Sequence, residues 1–130
     1  MSLNNSASII ASMNVHILLL SMLLLGCCGL WNMRSACEHA ANQELRDRCF
    51  SVLALNDDDT ELCKQVQNLT ARDYCIMKIA IADANESKCA NISADLKCNQ
   101  VVQGVQNNIS LVCGWIKDNE TAELCRLRVG

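Results

Sequence analysis

The stretch Leu45-Arg46-Asp47-Arg48-Cys49 is matched 26 positions later by Ala71-Arg72-Asp73-Tyr74-Cys75. The match continues past the cysteine, where Leu53-Ala54-Leu55 aligns with Ile79-Ala80-Ile81 at the same offset. Self-similarity at a fixed period is the mark of a repeat architecture. The sequence therefore predicts an array built from copies of one small unit.

The cysteines outside the N-terminal segment follow the same period. Taken two by two along the chain, the first, second and fourth pairs each enclose eleven residues, and the third encloses eight, a shortening of roughly one helical turn. The eight positions are Cys37, Cys49, Cys63, Cys75, Cys89, Cys98, Cys113 and Cys125. Cysteine at this density in a short chain is typical of an oxidising compartment and a disulfide framework.

The repeat is expected to be helical. Apolar residues recur three and four positions apart, as at Ile76, Met77, Ala80, Ile81 and Ala84, and the chain has no proline. Clusters of helix-capping residues divide it into about eight short helices. These clusters lie at Asn42 and at residues 56–59, 68–70, 83–85, 91–93, 107–110 and 118–121. The predicted fold is all-α, a small disulfide-stapled array of short helical hairpins that follows an N-terminal apolar signal or anchor helix.

The midpoint of each cysteine pair falls in or beside a predicted turn. Residues equidistant from the turn of an antiparallel hairpin face each other, so each pair can cross-link its own hairpin. This predicts Cys37 with Cys49, Cys63 with Cys75, Cys89 with Cys98, and Cys113 with Cys125. A competing pattern joins Cys49 to Cys63, Cys75 to Cys89 and Cys98 to Cys113. Small residues should line the close contacts, and the candidates are Ala36, Ala40, Ala71, Ala90, Ala94 and Ala122.

Length and charge limit the function further. The 130 residues have room for one small domain after a leader, and few aromatic residues are available to its core. All 25 charged residues lie from Arg34 onward, acidic and basic residues are mixed, and the net charge is −3. This pattern does not fit a nucleic-acid partner.

The N-terminal segment predicts export. Residues 9–31 carry no charge, and the dense apolar run at 17–25 has the length of a signal-peptide core, although the whole segment could also span a bilayer as an anchor. Leu24-Leu25-Gly26-Cys27 resembles the lipobox of prokaryotic lipoproteins, which implies cleavage before Cys27 and its lipidation. The expected organisation is a signal peptide or anchor at 1–26, a tether at 27–36 and a cysteine-rich domain at 37–130. The expected location is the cell surface, membrane-anchored, or alternatively the secreted state.

Five Asn-x-Ser/Thr sequons occur at predicted turns, with acceptors Asn68, Asn85, Asn91, Asn108 and Asn119. In an exported protein such sites predict exposed glycans. The alternative is that asparagine, serine and threonine gather at turns to cap helices.

Residues that could carry chemistry are few. The body lacks the close cysteine pairs of structural zinc sites, so no metal and no cofactor are expected. His39 lies in no catalytic motif, and the run Asp57–Asp59 with Glu61 lacks the ligand spacing of a calcium loop, so a solvated turn and helix start explain it better. Arg46-Asp47 and Arg72-Asp73 are either a recognition feature shown twice or, as we favour, a structural pair that holds neighbouring hairpins in register.

The unit of Arg-Asp-x-Cys, an Ile/Leu-Ala step, an Asp and a second Cys resembles cysteine-rich helical repeat proteins exported by archaea. That resemblance implies no activity and no site residues. The predicted function is a noncatalytic, membrane-tethered extracytoplasmic module for structure, adhesion or binding, with an envelope protein or glycan as its partner. The alternatives are an exported thiol-redox or other small enzyme, and a lipid-binding or membrane-active helical domain.

Overall fold

The computed structural model describes residues 29–130, with side chains from Met33 onward. The chain divides into two compact parts, Met1–Ala36 and Cys37–Gly130. The apolar leader, its lipobox and Cys27 lie outside the described residues, so these predictions stay predictions. Within the described part, every helix is too short or too polar to cross a membrane.

The described chain is helical throughout, and residues 29–130 contain no strand. The α-helices are α1 (Gly29–Glu38), α2 (Gln43–Asp57), α3 (Leu69–Ala82), α4 (Cys98–Gln106) and α5 (Asn119–Val129). Short 3₁₀ helices lie at Leu62–Gln65, Glu86–Cys89, Ala94–Leu96 and Ser110–Trp115. The all-α prediction is confirmed. One predicted helix is split in two at Lys97, whose left-handed backbone (φ 53°) ends a 3₁₀ turn and begins α4.

Four disulfides join the cysteines in the hairpin pattern that the spacing predicts. Cys37 bonds Cys49, Cys63 bonds Cys75, Cys89 bonds Cys98 and Cys113 bonds Cys125. The Cα–Cα distances are 5.4 to 5.7 Å, within the range that a disulfide requires. Seven of these eight cysteines are buried and Cys49 is half-buried. The competing pattern between neighbouring hairpins is therefore excluded in this structure.

The small residues expected at the close contacts differ in exposure. Ala122 is buried and Ala40 and Ala71 are half-buried, whereas Ala36, Ala90 and Ala94 are exposed. The prediction assumed two helices packed side by side. Cys63, Cys89 and Cys113 instead lie in 3₁₀ turns. A tight turn brings its own cysteine close to the following helix, so two helix axes need not approach each other.

Each disulfide-bonded hairpin is one repeat unit, and we number the units from first to fourth along the chain. Three of the four units share one local design. A capping residue stands five positions after the first cysteine and seven before the second, and its side-chain oxygen accepts a hydrogen bond from the third residue of the helix. The caps are Asn42, Asn68 and Asp118, with distances of 2.9, 3.0 and 2.8 Å. The eight-residue loop between Cys89 and Cys98 lacks this turn of helix. As a result Cys98 is itself the first residue of α4.

The Arg-Asp motif holds the units in register, as the structural interpretation predicts. Asp47 is buried, and it accepts hydrogen bonds from the backbone amides of Gln67 (2.9 Å) and Asn68 (3.0 Å), at the turn of the next unit. Asp73 accepts one from the amide of Ser93 at 3.1 Å, again in the next unit. Each aspartate therefore acts as a clamp on the unit that follows it.

The arginine of the motif works within its own unit. Arg46 donates to the backbone carbonyl of Glu38, and Arg72 donates to the carbonyl of Val66 at 2.9 Å. Each carbonyl belongs to a residue between the first cysteine of its unit and the residue that caps the following helix. The arginine thus fixes its own hairpin while the aspartate fixes the next one.

Helix α3 is the centre of the domain and packs against α2, α4 and α5. Met77 and Ile81 bury one of its faces, and Ile79 buries the opposite one. One apolar cluster forms around Phe50 between the first two units, and a second forms around Val101 and the later units. Because α3 contributes to both clusters, it connects the two halves of the core.

Candidate functional site

An open groove lies between α2, α3 and the segment that leads into α5. Two overlapping cavities of about 820 and 670 Å³ form it. Their shared lining consists of Glu44, Asp47, Ala71, Tyr74, Lys117 and Asp118. All six residues belong to the part of the chain from 37 to 130, so the groove is a feature of the disulfide-stapled domain itself.

Helical spacing places the groove side chains on common faces. On α2, Glu44, Asp47 and Ser51 are separated by three and four positions, and on α3 the same holds for Ala71, Tyr74 and Lys78. Tyr74 is half-buried, since its ring also packs against the apolar cluster below the groove. The floor is therefore one aromatic ring, surrounded by polar groups of both charges.

An ion triad joins the three walls of the groove. Glu120 at the start of α5 accepts a hydrogen bond from Lys78 Nζ on α3 at 2.5 Å, and it lies 3.5 Å from Arg48 on α2. The hydrogen bond from Lys78 lowers the pKa of Glu120 below its usual range, and Arg48 adds to this effect. Glu120 therefore remains a carboxylate down to acidic pH, and its negative charge draws the cationic side chains of α2 and α3 toward α5.

Asp47 closes the groove at the end nearest the second hairpin. It accepts a hydrogen bond from Gln43 Nε2 at 2.6 Å in addition to the two backbone amides. Burial raises the pKa of Asp47, but the hydrogen bonds from Gln67, Asn68 and Gln43 outweigh it, and the pKa is lowered overall. A carboxylate so fully engaged with donors shapes the groove and is poorly placed to take a proton from a ligand.

The five sequon asparagines are all exposed, and two of them line the groove. Asn68 and Asn85 also cap helical turns, accepting hydrogen bonds from Ala71 and Ser87. The capping explanation thus accounts for part of the pattern. Asn119 lines the groove beside Asp118, and the hydroxyl of its sequon residue Thr121 is buried and donates to Asp118 at 2.5 Å. Glycosylation of the five sites stays a prediction.

The other singled-out residues lie outside the groove. His39 is exposed. Asp58 and Asp83 form ion pairs with Lys88, and Asp59 caps the turn at Glu61 (2.8 Å), which fits the interpretation of a turn and helix start. Within residues 29–130 no group of three potential ligands is arranged to hold a metal ion.

Comparison with known proteins adds no family. Neither a scan against protein-family models nor searches of curated proteins and of solved structures find a match. The function must therefore be argued from the groove and the surface of this chain.

Sequence reasoning missed the groove. Tyr74 and Arg48 occupy the same repeat position, directly before the second cysteine, and both line it. The two residues lie beside a disulfide-bonded cysteine, so the difference between them from one copy of the repeat to the next is a signal in the sequence that points to this surface. Lys117 and Glu120 carry no such signal, because they reach the groove only through the packing of α5 on α3.

Proposed function

We propose that this chain is a noncatalytic, extracytoplasmic binding module that holds an envelope protein or glycan in the groove around Tyr74. The apolar N-terminal segment attaches it to the membrane, either as an uncleaved anchor or through a lipid on Cys27. The four disulfides indicate an oxidising compartment.

The observation that carries the proposal is that all three walls of the groove are covalently fixed. A disulfide attaches α2 to α1 at Cys49, and two others attach α3 and α5 to the 3₁₀ turns before them at Cys75 and Cys125. A groove whose walls are already ordered loses little conformational entropy when a partner binds, which favours affinity. The ion triad of Arg48, Glu120 and Lys78 ties the walls together as well.

The lining favours a polar partner. Groove residues include carboxylates, amides and lysine ammonium groups, with Tyr74 as the single aromatic surface. Tyrosine offers both an apolar ring face and a hydroxyl, a combination that is enriched where one protein recognises another molecule. Lys117 is exposed and free to approach an acidic or hydroxyl-rich group.

Site-specific photo-crosslinking in native membranes tests this proposal. A photo-reactive residue at Thr70, which is exposed and lines the groove, should label one defined partner. The same residue at Ser87, which is exposed but outside the groove lining, serves as the matched control. Tyr74→Ala should lower the yield from Thr70 by about tenfold, the scale of one aromatic anchor at an interface.

Two further variants keep the result interpretable. Tyr74→Phe retains the packing below the groove, so it separates loss of the hydroxyl from loss of folding. Lys117→Ala changes an exposed groove residue without touching the core. Equal labelling from Thr70 and Ser87, or labelling that survives both Tyr74→Ala and Lys117→Ala, would contradict a binding role for the groove.

An exported thiol-redox enzyme is the second candidate, and the half-buried Cys49 is the observation that favours it. Thiol exchange requires attack on an accessible sulfur. Cys37, the disulfide partner of Cys49, is buried. Reaction of the native chain with excess glutathione decides between the candidates: rapid and selective opening of the Cys37–Cys49 bond would support the redox enzyme, and resistance of all four bonds would support the binding module.

A further inference from the structure

Three large apolar side chains are exposed within seven residues of one another. Ile109 is 48% exposed, Leu111 is 73% exposed and Trp115 is 47% exposed. They lie on or beside the 3₁₀ helix Ser110–Trp115, whose rise of about 2 Å per residue places the backbones of Leu111 and Trp115 roughly 8 Å apart and that of Ile109 roughly 12 Å from Trp115. We call this surface the Trp115 patch. Gly114 leaves open space in it, since a β-carbon there would meet no atom within 4 Å.

The charge around the Trp115 patch differs from that of the remaining chain. Residues 97–117 contain two lysines and no aspartate or glutamate. The remainder carries nine lysines or arginines against all 14 acidic residues. This segment of the sequence therefore has a net positive charge, whereas the remainder of the chain has a net negative one.

The two lysines flank the apolar side chains in space as well as in sequence. Lys97 Nζ lies 5.2 Å from the centroid of the Trp115 ring, within cation–π distance. Lys117 is exposed two residues beyond the tryptophan. An indole, aliphatic side chains and ammonium groups side by side are the combination that settles at the boundary between lipid headgroups and acyl chains.

We propose that the Trp115 patch rests on an anionic membrane surface, with Trp115, Leu111 and Ile109 entering the headgroup boundary and Lys97 and Lys117 contacting lipid phosphates. The inference rests on the membrane tether of the proposed function, which keeps the domain close to a bilayer. The short patch adds a second, weaker contact to the tether. That contact orients the domain, and Lys117 then places one end of the groove near the membrane.

Tryptophan fluorescence in vesicles tests this orientation. The full chain with Trp31→Phe has Trp115 as its only tryptophan. It is reconstituted into vesicles of phosphatidylcholine alone or mixed with phosphatidylglycerol, each prepared with and without brominated acyl chains. In the anionic vesicles the Trp115 emission should shift to shorter wavelength and be quenched by the brominated lipid. Lys97→Gln with Lys117→Gln should weaken the quenching by about fivefold or more, because each lysine near an anionic surface adds attraction of that order.

Two leucines of equal exposure provide the matched controls. Leu111→Ser removes an apolar group from the Trp115 patch, whereas Leu127→Ser removes an equally exposed one (73%) from α5, which also carries Glu120 and Glu123. We expect Leu111→Ser to reduce the quenching and Leu127→Ser to leave it unchanged. Flotation of each variant with the vesicles measures membrane attachment through the N-terminal segment, independently of the Trp115 patch.

Three outcomes would overturn the inference. If the chain floats but Trp115 is neither shifted nor quenched in either lipid, the tether stands and the patch binds something other than a membrane, such as a protein. A chain that does not float refutes both the tether and the orientation. A glycan found on Asn108 of the native protein, one residue before Ile109, would keep the patch away from the bilayer and refute the orientation alone.

Discussion

The first two repeat units and the last two use the same cysteine grid but hold their neighbours by different forces. In the first half Asp47 clamps the second unit through two backbone amides, and Asp73 clamps the third through one. The fourth unit receives no such clamp, because Leu96 takes the aspartate's position before Cys98. The later half relies on apolar packing between α4 and the turn at Ser110–Trp115.

The difference shows that the disulfide fixes each hairpin, whereas register between hairpins needs a second device. Where the repeat keeps the Arg-Asp motif, that device is a carboxylate aimed at backbone amides. Where the motif is lost, a small residue allows close approach: Gly104 lies against Val112. The equivalent residues in the first half are Ala54 and Ala80, whose carbonyls also accept the hydrogen bond that ends the helix.

Removing a disulfide should have the largest effect, and it tests whether the clamp supports its hairpin. Cys63→Ala with Cys75→Ala and Cys89→Ala with Cys98→Ala open loops of 12 and 9 residues. Chain entropy predicts a loss of about 3 kcal/mol for each, with a difference of only about 0.2 kcal/mol. We expect the first pair to lose less in denaturant unfolding, because Asp47 still holds its turn through two hydrogen bonds, whereas Asp73 holds the loop of the second pair through only one.

The comparison of the two disulfide variants has a clear contrary result. If the Cys63/Cys75 variant loses as much stability as the Cys89/Cys98 variant or more, the aspartate clamp does not take over when the cross-link is absent. A control is needed for the loss of sulfur volume from the core. The serine versions of both variants should rank in the same order.

Asp47→Ala should cost about 2 to 3 kcal/mol, because it leaves two backbone donors and Gln43 without their acceptor. Asp73→Ala, at the same repeat position, should cost only about 1 kcal/mol, since one hydrogen bond is lost at a half-buried site. Asp57→Ala, an exposed aspartate on α2, is the matched control and should change stability by less than about 0.5 kcal/mol. Equal losses at Asp47 and Asp73 in urea unfolding would show that the clamp is no stronger in the first unit.

Gly104→Ala tests the packing that replaces the clamp in the later half. Its β-carbon would lie 2.5 Å from both methyl groups of Val112, so overpacking of about 1 to 3 kcal/mol should exceed the helix-propensity gain of about 1 kcal/mol. Thermal unfolding should show a lower melting temperature. Gly114→Ala, where the space is open, should be nearly neutral. Adding Val112→Ala removes the two methyl groups that clash, so the double variant should lose less than the sum of the two single losses, and additive losses would contradict a direct contact.

Acid should weaken the hydrogen bonds by which Asp47 holds the second unit. The pKa of Asp47 is lowered in the folded protein, so its contribution is present above the unfolded value, about 4, and is lost as the pH falls through the folded value. The pKa of Asp58 is lowered by its hydrogen bond from Lys88, and this pair adds a similar but more exposed contribution. The unfolding free energy is measured from about pH 5 downward, where the Asp47 contribution begins to be lost. It should fall less steeply in Asp47→Ala than in the native chain. Parallel curves would show that Asp47 does not carry the acid response.

Local features of the fold and the structural role of the Arg-Asp motif were predictable, but the partners in the long-range contacts were not. The cysteine pairs and the caps Asn42 and Asn68 follow from spacing within a hairpin, because the atoms concerned lie within about a dozen residues. Asp47 and its two backbone donors are 20 and 21 residues apart, and Lys78 and Glu120 are 42 apart. Such contacts depend on how α2, α3 and α5 pack, and no single-sequence period encodes that angle. The groove was missed for this reason.

The smallest expected effect concerns the residues that end the helices. Ala84 and Asn108 both have left-handed backbones, with φ of 50° and 55°, at the ends of α3 and α4. A side chain such as alanine is strained in that region, whereas glycine is not, and asparagine tolerates it. Ala84→Gly should therefore raise the unfolding free energy by about 0.5 to 1 kcal/mol, while Asn108→Gly should leave it within about 0.3 kcal/mol. If Ala84→Gly is instead destabilising in urea unfolding, the packing of its methyl group on the second cluster outweighs the strain, and the junction between the clamped and unclamped halves is held by apolar contact rather than by backbone conformation.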